Sequence, residues 1–479
     1  MKKGDILTGT VESTDFPNKG TVSYVDEGSK EAYKFQVSGV IEGQKVKFRI
    51  HRKGKNGGTG KGTLIEVVEK SPFENCTEPC EMAGICGGCQ YQTIEYHNQL
   101  KIKENQIKRL LSPVIGEETY DNIYEGIKDS PIREGYRNKM ELSFGDSEKD
   151  GPLMLGLHRR GSFYDIVDAS GCRIMNEDMR CAARITLEYF RGKGTPYLHK
   201  RTGEGYLRHL LLRRGEFTGE LLIDLVTAPV ASVKEENTAA CTTMDKEYEK
   251  ELLEGWKDAI ISKLNVKGII HTRCGRVADV IEDQGTDILY GSDHIKDVLL
   301  GLTFRITPFS FFQTNSSGAE VLYQTARDYI SGGISGKTVF DLYSGTGTIA
   351  QIISPAAKNV IGVEIVEEAV EAAKENAAIN GIYNCNFISG DVLKVIDEIE
   401  EKPDMIILDP PRDGIHPKAL PKLIGYGVDE ILYISCKPTS LARDLPAFME
   451  AGYRPRRLCC VDMFPNTTGV ESVVKLIRQ

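Results

Sequence analysis

Residues suited to chemistry recur at regular intervals through the last third of this 479-residue sequence: Asp341 with Gly345 and Gly347, then Glu364, Asp391, Asp409 and Cys436, with Glu471 near the end. Around the first of these, Val339, Phe340 and Leu342 read as the end of a buried strand. Gly345 and Gly347 allow a tight turn and a close backbone approach, and Thr348 opens a helix whose first N–H groups point at whatever sits on the turn. Strand, glycine turn and helix start make a nucleotide-type site. The dinucleotide fingerprint does not fit, because Asp341 precedes the glycines and Gly345-Thr346-Gly347 lacks the third glycine. An acid, then G-x-G, then a second acid closing the next strand suits S-adenosylmethionine (SAM) better, since the carboxylate of Glu364 can take both ribose hydroxyls. Any doubly wound α/β protein with a Gly-rich first turn is the plainer alternative.

Cys436 and Glu471 suggest what a methyl donor would be used for. A ring carbon such as C5 of uracil is too weak a nucleophile to take a methyl group directly. A thiolate adding at C6 turns C5 into an enolate carbon that can, and a base must then remove the C5 proton so that the thiolate leaves. One cysteine and one carboxylate around a flat pocket meet that need. Cys436 ends a strand-like run, and Glu471 lies in a loop before the last strand that can fold back to it. Taken singly, a free cysteine is commonly a small buried apolar residue, and Glu471 could be a surface acid. Asp409-Pro410-Pro411 resembles the D/N-P-P-Y loop of amino-methyltransferases, but Arg412 replaces the aromatic residue and Cys436 follows one strand later, which argues for different chemistry.

A second group of reactive residues lies near the start. Cys76, Cys80, Cys86 and Cys89 crowd into fourteen positions of a sequence with 12 cysteines in all. The glycines of Cys86-Gly87-Gly88-Cys89 let both thiolates wrap one centre, and soft sulfur ligands select zinc or iron–sulfur. The spacing is not the C-x3-C-x2-C of radical SAM enzymes. Four local cysteines could bind zinc; alternatively three could join a distant fourth, with Cys172 after a Gly turn as the candidate, around a [4Fe–4S] cluster.

The elements that must position these residues fall into three parts. Residues 1–70 read as a small oligonucleotide-binding-type β-barrel, from runs such as Ile6–Val11, Gly20–Tyr24, Lys45–Ile50 and Thr63–Val68. A basic Gly-rich loop from Arg52 to Lys61 could follow a phosphate backbone or be a solvated hairpin. Residues 71–300 read as a mixed α+β region with helices at 96–111 and 176–190 and a polar segment at 237–254; Tyr136, Arg137, Arg159 and Arg160 mix aromatic and basic side chains as RNA contacts do. From 301 to 479 strands and helices alternate, which implies a parallel, doubly wound sheet with ligands at the strand C-terminal ends, where Gly345, Glu364, Asp391, Asp409 and Cys436 all fall. The net charge of -9 argues for no global attraction to nucleic acid, so any RNA contact is local. No run is apolar enough to span a membrane and no signal peptide opens the chain, so a cytoplasmic protein is expected.

Together, Phe312-Gln313-x-Asn315, Asp341-Leu342-Tyr343-Ser344-Gly345-x-Gly347, Asp409-Pro410-Pro411-Arg412, Ser435-Cys436-x-Pro438 and Thr468-Gly469-Val470-Glu471 resemble the RNA (uracil-5)-methyltransferases, nearly end to end. The resemblance implies Cys436 as nucleophile, Glu471 as base, and SAM contacts from Gln313, Tyr343, Glu364 and Asp409; Asp391 joins the SAM set from its strand-end position. An N-terminal TRAM-type barrel with Cys80, Cys86, Cys89 and Cys172 resembles the 23S ribosomal RNA branch, whose four cysteines hold [4Fe–4S]; the transfer-RNA branch is expected to lack both features. That makes 5-methyluridine in 23S ribosomal RNA the expected product and a monomer the expected form. The same reaction on transfer RNA, or an inactive RNA-binding iron–sulfur scaffold, are the alternatives. Thr346 and Thr348 stand where the family often has Asn, and Cys76 falls outside the matched ligand set.

Overall fold

A computed structural model of the chain describes residues 1–479 except 27, 29, 53, 55–57, 231–244, 277–279, 331–332 and 396. The N-terminal strands Ile6–Asp15, Lys19–Val25, Ala32–Ser38, Lys45–Arg52 and Gly60–Glu69 form a closed barrel. Alternate residues Val22, Phe35, Val37, Val46, Phe48 and Ile50 fill its interior, as the two-residue period of a strand dictates. The strand Ala32–Ser38 was not among the runs read from the sequence, although its Phe35 and Val37 alternate in the same way. Gly60 and Gly62 let the last strand lie against that core: a Cβ there would stand 2.5 Å and 2.6 Å from the rings of Phe35 and Phe48. Lys53 and Lys55 of the basic loop lie outside the described residues.

The central sheet runs, edge to edge, Thr286–Gly291, Gly268–Arg273, Leu221–Thr227, Leu207–Arg214, Lys139–Gly145, Met154–His158 and Ile166–Asp168. Helices Glu177–Lys193 and Lys246–Ile261 share a core with it, and the indole N–H of Trp256 donates to Thr186 Oγ1 at 3.0 Å to join them. Asn176 caps the first by accepting from the Asp178 N–H, and Gly194 ends it in the left-handed region.

The C-terminal sheet has the order Cys385–Ser389, Asn359–Glu364, Thr338–Leu342, Met405–Leu408, Glu430–Ser435, Glu471–Arg478, Tyr453–Val461, Tyr124–Lys128. The first five strands are parallel, and Glu471–Arg478 inserts antiparallel between its two neighbours. Alternate residues of each strand enter different cores. Val339, Met405, Ile407, Leu432 and Ile434 pack on one side, while Phe340, Leu342, Ile406, Leu408, Ile431 and Tyr433 pack on the other. Burial on both faces is why these strands read as continuous apolar runs. The strand order reverses between Thr338–Leu342 and Met405–Leu408, and a crevice for ligand opens at such a point.

Residues 96–128 pack on this sheet. Helix Tyr96–Ile115 buries Ile107, Leu111 and Ile115 in the same core as helix Pro438–Glu450, and Tyr124–Lys128 pairs in parallel with Tyr453–Val461. The helix runs to Ile115, past the expected end at Leu111, with Pro113 in its last turn. No described helix is long and apolar enough to cross a membrane.

Candidate active site

The turn after Thr338–Leu342 is pinned to its neighbouring strand. The Tyr343 and Ser344 N–H groups donate to the Val363 carbonyl at 2.9 and 3.0 Å, which holds Tyr343 at a φ of 68°. Gly345 N–H then donates to Glu364 Oε2 and Val366 N–H to Oε1, both at 3.0 Å. These bonds fix the Glu364 carboxylate beside the turn, and each oxygen keeps a lone pair for a ligand hydroxyl. Gly347 caps helix Thr348–Ile353 at a φ of 72°, where a Cβ would stand 2.6 Å from the Phe387 ring. Thr346 Oγ1 donates to the Phe311 carbonyl at 3.3 Å, so the residue that departs from the family pattern ties the turn to the loop carrying Gln313.

Asp341 is fully buried. Its Oδ2 accepts from the Ala350 N–H at 2.9 Å, and Oδ1 has no protein partner. Burial, with the charge of Asp409 behind it, pushes the carboxyl up to about 8. Asp391 follows Cys385–Ser389 and spends Oδ1 on the Leu393 N–H at 3.0 Å, capping the short helix Val392–Val395. Burial, then the charges of Asp391 and Asp444, push the Tyr343 phenol up to about 12.

Cys436 and Glu471 meet through strand register. Ser435 pairs with Ser472 across the antiparallel ladder, so one step further Cys436 lies opposite Glu471. Asp409 ends the adjacent parallel strand, in which Leu408 pairs with Tyr433. Glu471 is 2% exposed, whereas Cys436 and Asp409 keep part of their surface open. Burial first, then the nearby charges of Glu471 and Asp409, push the Cys436 thiol up to about 12, with Arg412 opposing. Glu471 is pushed up to about 8 by burial and by Asp409, again against Arg412, and Asp409 to about 7 by burial. Two carboxyl groups thus titrate near neutrality beside the thiol, the range useful to a general base.

Gln313 is held by its backbone. Its carbonyl accepts from Asn138 Nδ2 at 2.7 Å, Arg137 donates to Thr314 Oγ1 at 3.0 Å, and Asn315 Nδ2 donates to the Met463 carbonyl at 2.9 Å. Tyr323, buried on helix Ser316–Ile330, went unnoticed in the sequence. Burial pushes its phenol up, and the charges of Asp409, Glu471 and Asp341 add to the rise while the Gln313 side chain opposes it. Its only sequence signal is a hydroxyl in the apolar stripe Ala319, Leu322, Ala326 and Ile330.

The loop leading to Glu471 is anchored from far away in the chain. Lys103 Nζ donates to Asp462 Oδ1 at 2.6 Å, both side chains being fully enclosed, and to the Phe464 carbonyl at 3.2 Å. Asn466 N–H donates to Gln99 Oε1 at 2.8 Å, and the Asn466 carbonyl accepts from the N–H groups of Gln90 and Tyr91, both at 3.0 Å. Tyr136 OH donates to the Pro465 carbonyl at 2.9 Å. Separations above three hundred residues left these anchors invisible to local patterns.

A separate cavity is lined by Cys80, Cys86, Cys89 and Cys172, with Leu157, Val167 and Ile174 in its wall; Cys76 is not among the lining residues. Among the described residues, no three His, Cys, Asp or Glu side chains stand close enough to hold a metal ion as they are.

Residues 239–479 match the tRNA (Uracil-5-)-methyltransferase family. An uncharacterised RNA methyltransferase of Caldanaerobacter subterraneus subsp. tengcongensis is 44% identical over 99% of this chain and 99% of its own length. Another from Clostridium tetani is 44% identical over 100% of this chain and 99% of its own. Among solved structures, the tRNA (uracil-54, C5)-methyltransferase of Pyrococcus abyssi in complex with S-adenosyl-L-homocysteine is similar at a TM-score of 0.71 and 25% identity, covering 98% of this chain and 100% of that one. With that family match over half its length, and those relatives along all of it, the chain is a SAM-dependent RNA methyltransferase and belongs to the tRNA (uracil-5-)-methyltransferase family.

Proposed function

We propose that the chain methylates C5 of a uridine in RNA, with Cys436 as nucleophile and Glu471 as base. The observation that carries the reading is the Ser435–Ser472 register, which sets these two side chains against each other at the strand ends where ligands collect. SAM, when bound, supplies an electrophilic methyl group on a cationic sulfur. Glu364 takes the ribose, and Gln313, Tyr343, Asp391 and Asp409 line the rest of its site. Burial and the neighbouring carboxylates hold the Cys436 thiol well above its usual range, and it would ionise more readily beside a bound cationic sulfur. The thiolate forms a bond to C6, and the ring electrons displaced onto C5 take the methyl group and leave S-adenosylhomocysteine. Glu471 removes the C5 proton, the C5–C6 double bond returns and the thiolate departs. A base inside a duplex offers neither face of its ring, so the target uridine is unpaired or flipped out.

For the RNA we infer 23S ribosomal RNA, on the strength of the set Cys80, Cys86, Cys89 and Cys172. Four thiols around one cavity, whose wall also carries Gln92, Asp168 and Arg173, have the donor chemistry of a [4Fe–4S] cluster. Bound there, it would cross-link residues 80–89 to the turn at Cys172; no methyl-transfer step runs through it. A transfer RNA is the second reading. The Pyrococcus abyssi transfer-RNA enzyme is similar over 98% of this chain, so the overall architecture does not separate the two substrates as the sequence comparison expected. RNA gripping is assigned to residues 1–70, the cluster to 71–300 and chemistry to 301–479, with the packed elements of 96–128 supporting the last.

Glu471→Gln is the deciding test. It keeps addition and methyl transfer but has no acceptor for the C5 proton. Incubated with RNA and SAM it is expected to accumulate a denaturation-stable adduct in which the Cys436 peptide carries a methylated uridine, while Cys436→Ala forms none. Normal turnover by Glu471→Gln, or an adduct on another cysteine, refutes the assignment.

A further inference from the structure

The strand Met154–His158 leads into a turn, Arg159 to Asp165, that takes no part in the site described above. Phe163 is 83% exposed there and Tyr164 52%. A second turn, His199 to Arg201, lies against it. Lys200 Nζ donates to the Phe163 carbonyl at 3.3 Å and contacts His158 Nε2 at 3.5 Å, and the Arg201 guanidinium stacks 4.6 Å from the centroid of the Tyr164 ring. The two turns therefore form one surface with two open rings among the cations Arg159, Lys200 and Arg201. Asp165, 3.8 Å from Arg159, and Glu204, whose carbonyl accepts from the His199 N–H at 2.7 Å, are the acids on the two turns.

Resting on the RNA-methyltransferase reading, we propose that this surface is a second RNA-docking site, separate from the catalytic crevice. It would stack an unpaired base on Phe163 and bind the flanking phosphates through Arg159 and Arg201. Single-stranded RNA is the occupant the chemistry selects. Every base has a π-face, and a basic rim around exposed rings is how proteins hold a single strand without reading its sequence. A protein partner would have to cover the rings while leaving three cations against its own surface. The chain carries -9 overall, so a local patch of this kind matters for RNA. The surface is also tied to the catalytic loop. Arg160 donates to the Cys89 carbonyl at 3.1 Å, and the next two residues, Gln90 and Tyr91, donate to Asn466, five positions before Glu471.

The test uses the full chain and a fluorescein-labelled single-stranded oligouridine. Phe163→Ala is expected to weaken binding by about tenfold with an unchanged salt dependence, and Phe163→Tyr, which keeps the ring, to bind as the parent does. Arg159→Gln/Arg201→Gln is expected to make the slope of log K against log salt shallower by about 1.4, for two phosphates lost from a single strand. S-adenosylhomocysteine binding, measured by calorimetry, should be the same in all three. Parental affinity in Phe163→Ala, an unchanged slope in the double variant, or a defect in Phe163→Tyr equal to that of Phe163→Ala overturns the proposal. Failure of Glu471→Gln to accumulate the Cys436 adduct would instead refute the catalytic reading, and leaves these binding outcomes to stand on their own.

Discussion

Glu471→Gln should stabilise the fold while it abolishes turnover, and the gain should grow with pH. Glu471 has its carboxyl pushed up from 4.5 to about 8 in the folded chain. A raised carboxyl means that the unfolded chain loses its proton first. Between pH 4.5 and 8 the folded state must either keep a proton the solution would take or bury a charge, so stability falls as pH rises through that window. Integrating the linkage gives a cost of about 1 kcal/mol at pH 5, about 3 kcal/mol at pH 7 and about 5 kcal/mol at pH 9. Gln fills the same space and cannot ionise, so the cost vanishes. Asp409, pushed up to about 7, shares the pocket, and the two carboxyls titrate as a pair, so part of the gain belongs to Asp409. With each kcal/mol worth roughly 2–4 °C for a unit of this size, the variant should melt about 6–12 °C above the parent at pH 7. Thermal melts of both proteins, without ligand, at pH 5.5, 7 and 8.5 check this. A difference in melting temperature that is flat or shrinks with rising pH refutes the reasoning, because it would mean that Glu471 is ionised and satisfied in the free enzyme. The same burial that costs stability keeps the base poised near neutral pH.

Lys103→Met leaves Asp462 buried and unpaired, and should cost about 3–5 kcal/mol; Lys103→Met/Asp462→Leu should recover most of it, as read by thermal melts. If the single variant melts like the parent, the enclosed ion pair does not anchor the Glu471 loop. Protein purified without oxygen should contain about four irons per chain, lost in Cys172→Ser and kept in Cys76→Ser; stoichiometric zinc in their place would refute the cluster assignment.

The sequence by itself determined where chemistry could occur along the chain. In a doubly wound sheet each parallel strand ends at the ligand crevice, so a polar residue closing an apolar run marks the site without knowledge of the neighbours. Glu364, Asp409 and Cys436 were legible for that reason, as was Gly347, whose left-handed φ and contact with Phe387 leave no room for a side chain. The crowding of Cys76, Cys80, Cys86 and Cys89 was legible from spacing; that Cys80, Cys86 and Cys89 share one cavity with the distant Cys172 is a property of the tertiary structure. Tertiary structure decided what faces what. That Glu471 lies opposite Cys436 depends on the register of Glu471–Arg478, an antiparallel strand inserted out of chain order. Tyr323 gains meaning only when its helix packs against the strands Glu430–Ser435 and Glu471–Arg478. Lys103, Gln99 and Tyr124–Lys128 join the C-terminal sheet from the first third of the chain. Local periodicity reports which face of a segment is buried; it carries no information about the partner that buries it, and register, ion pairing and edge-strand addition are properties of the partner.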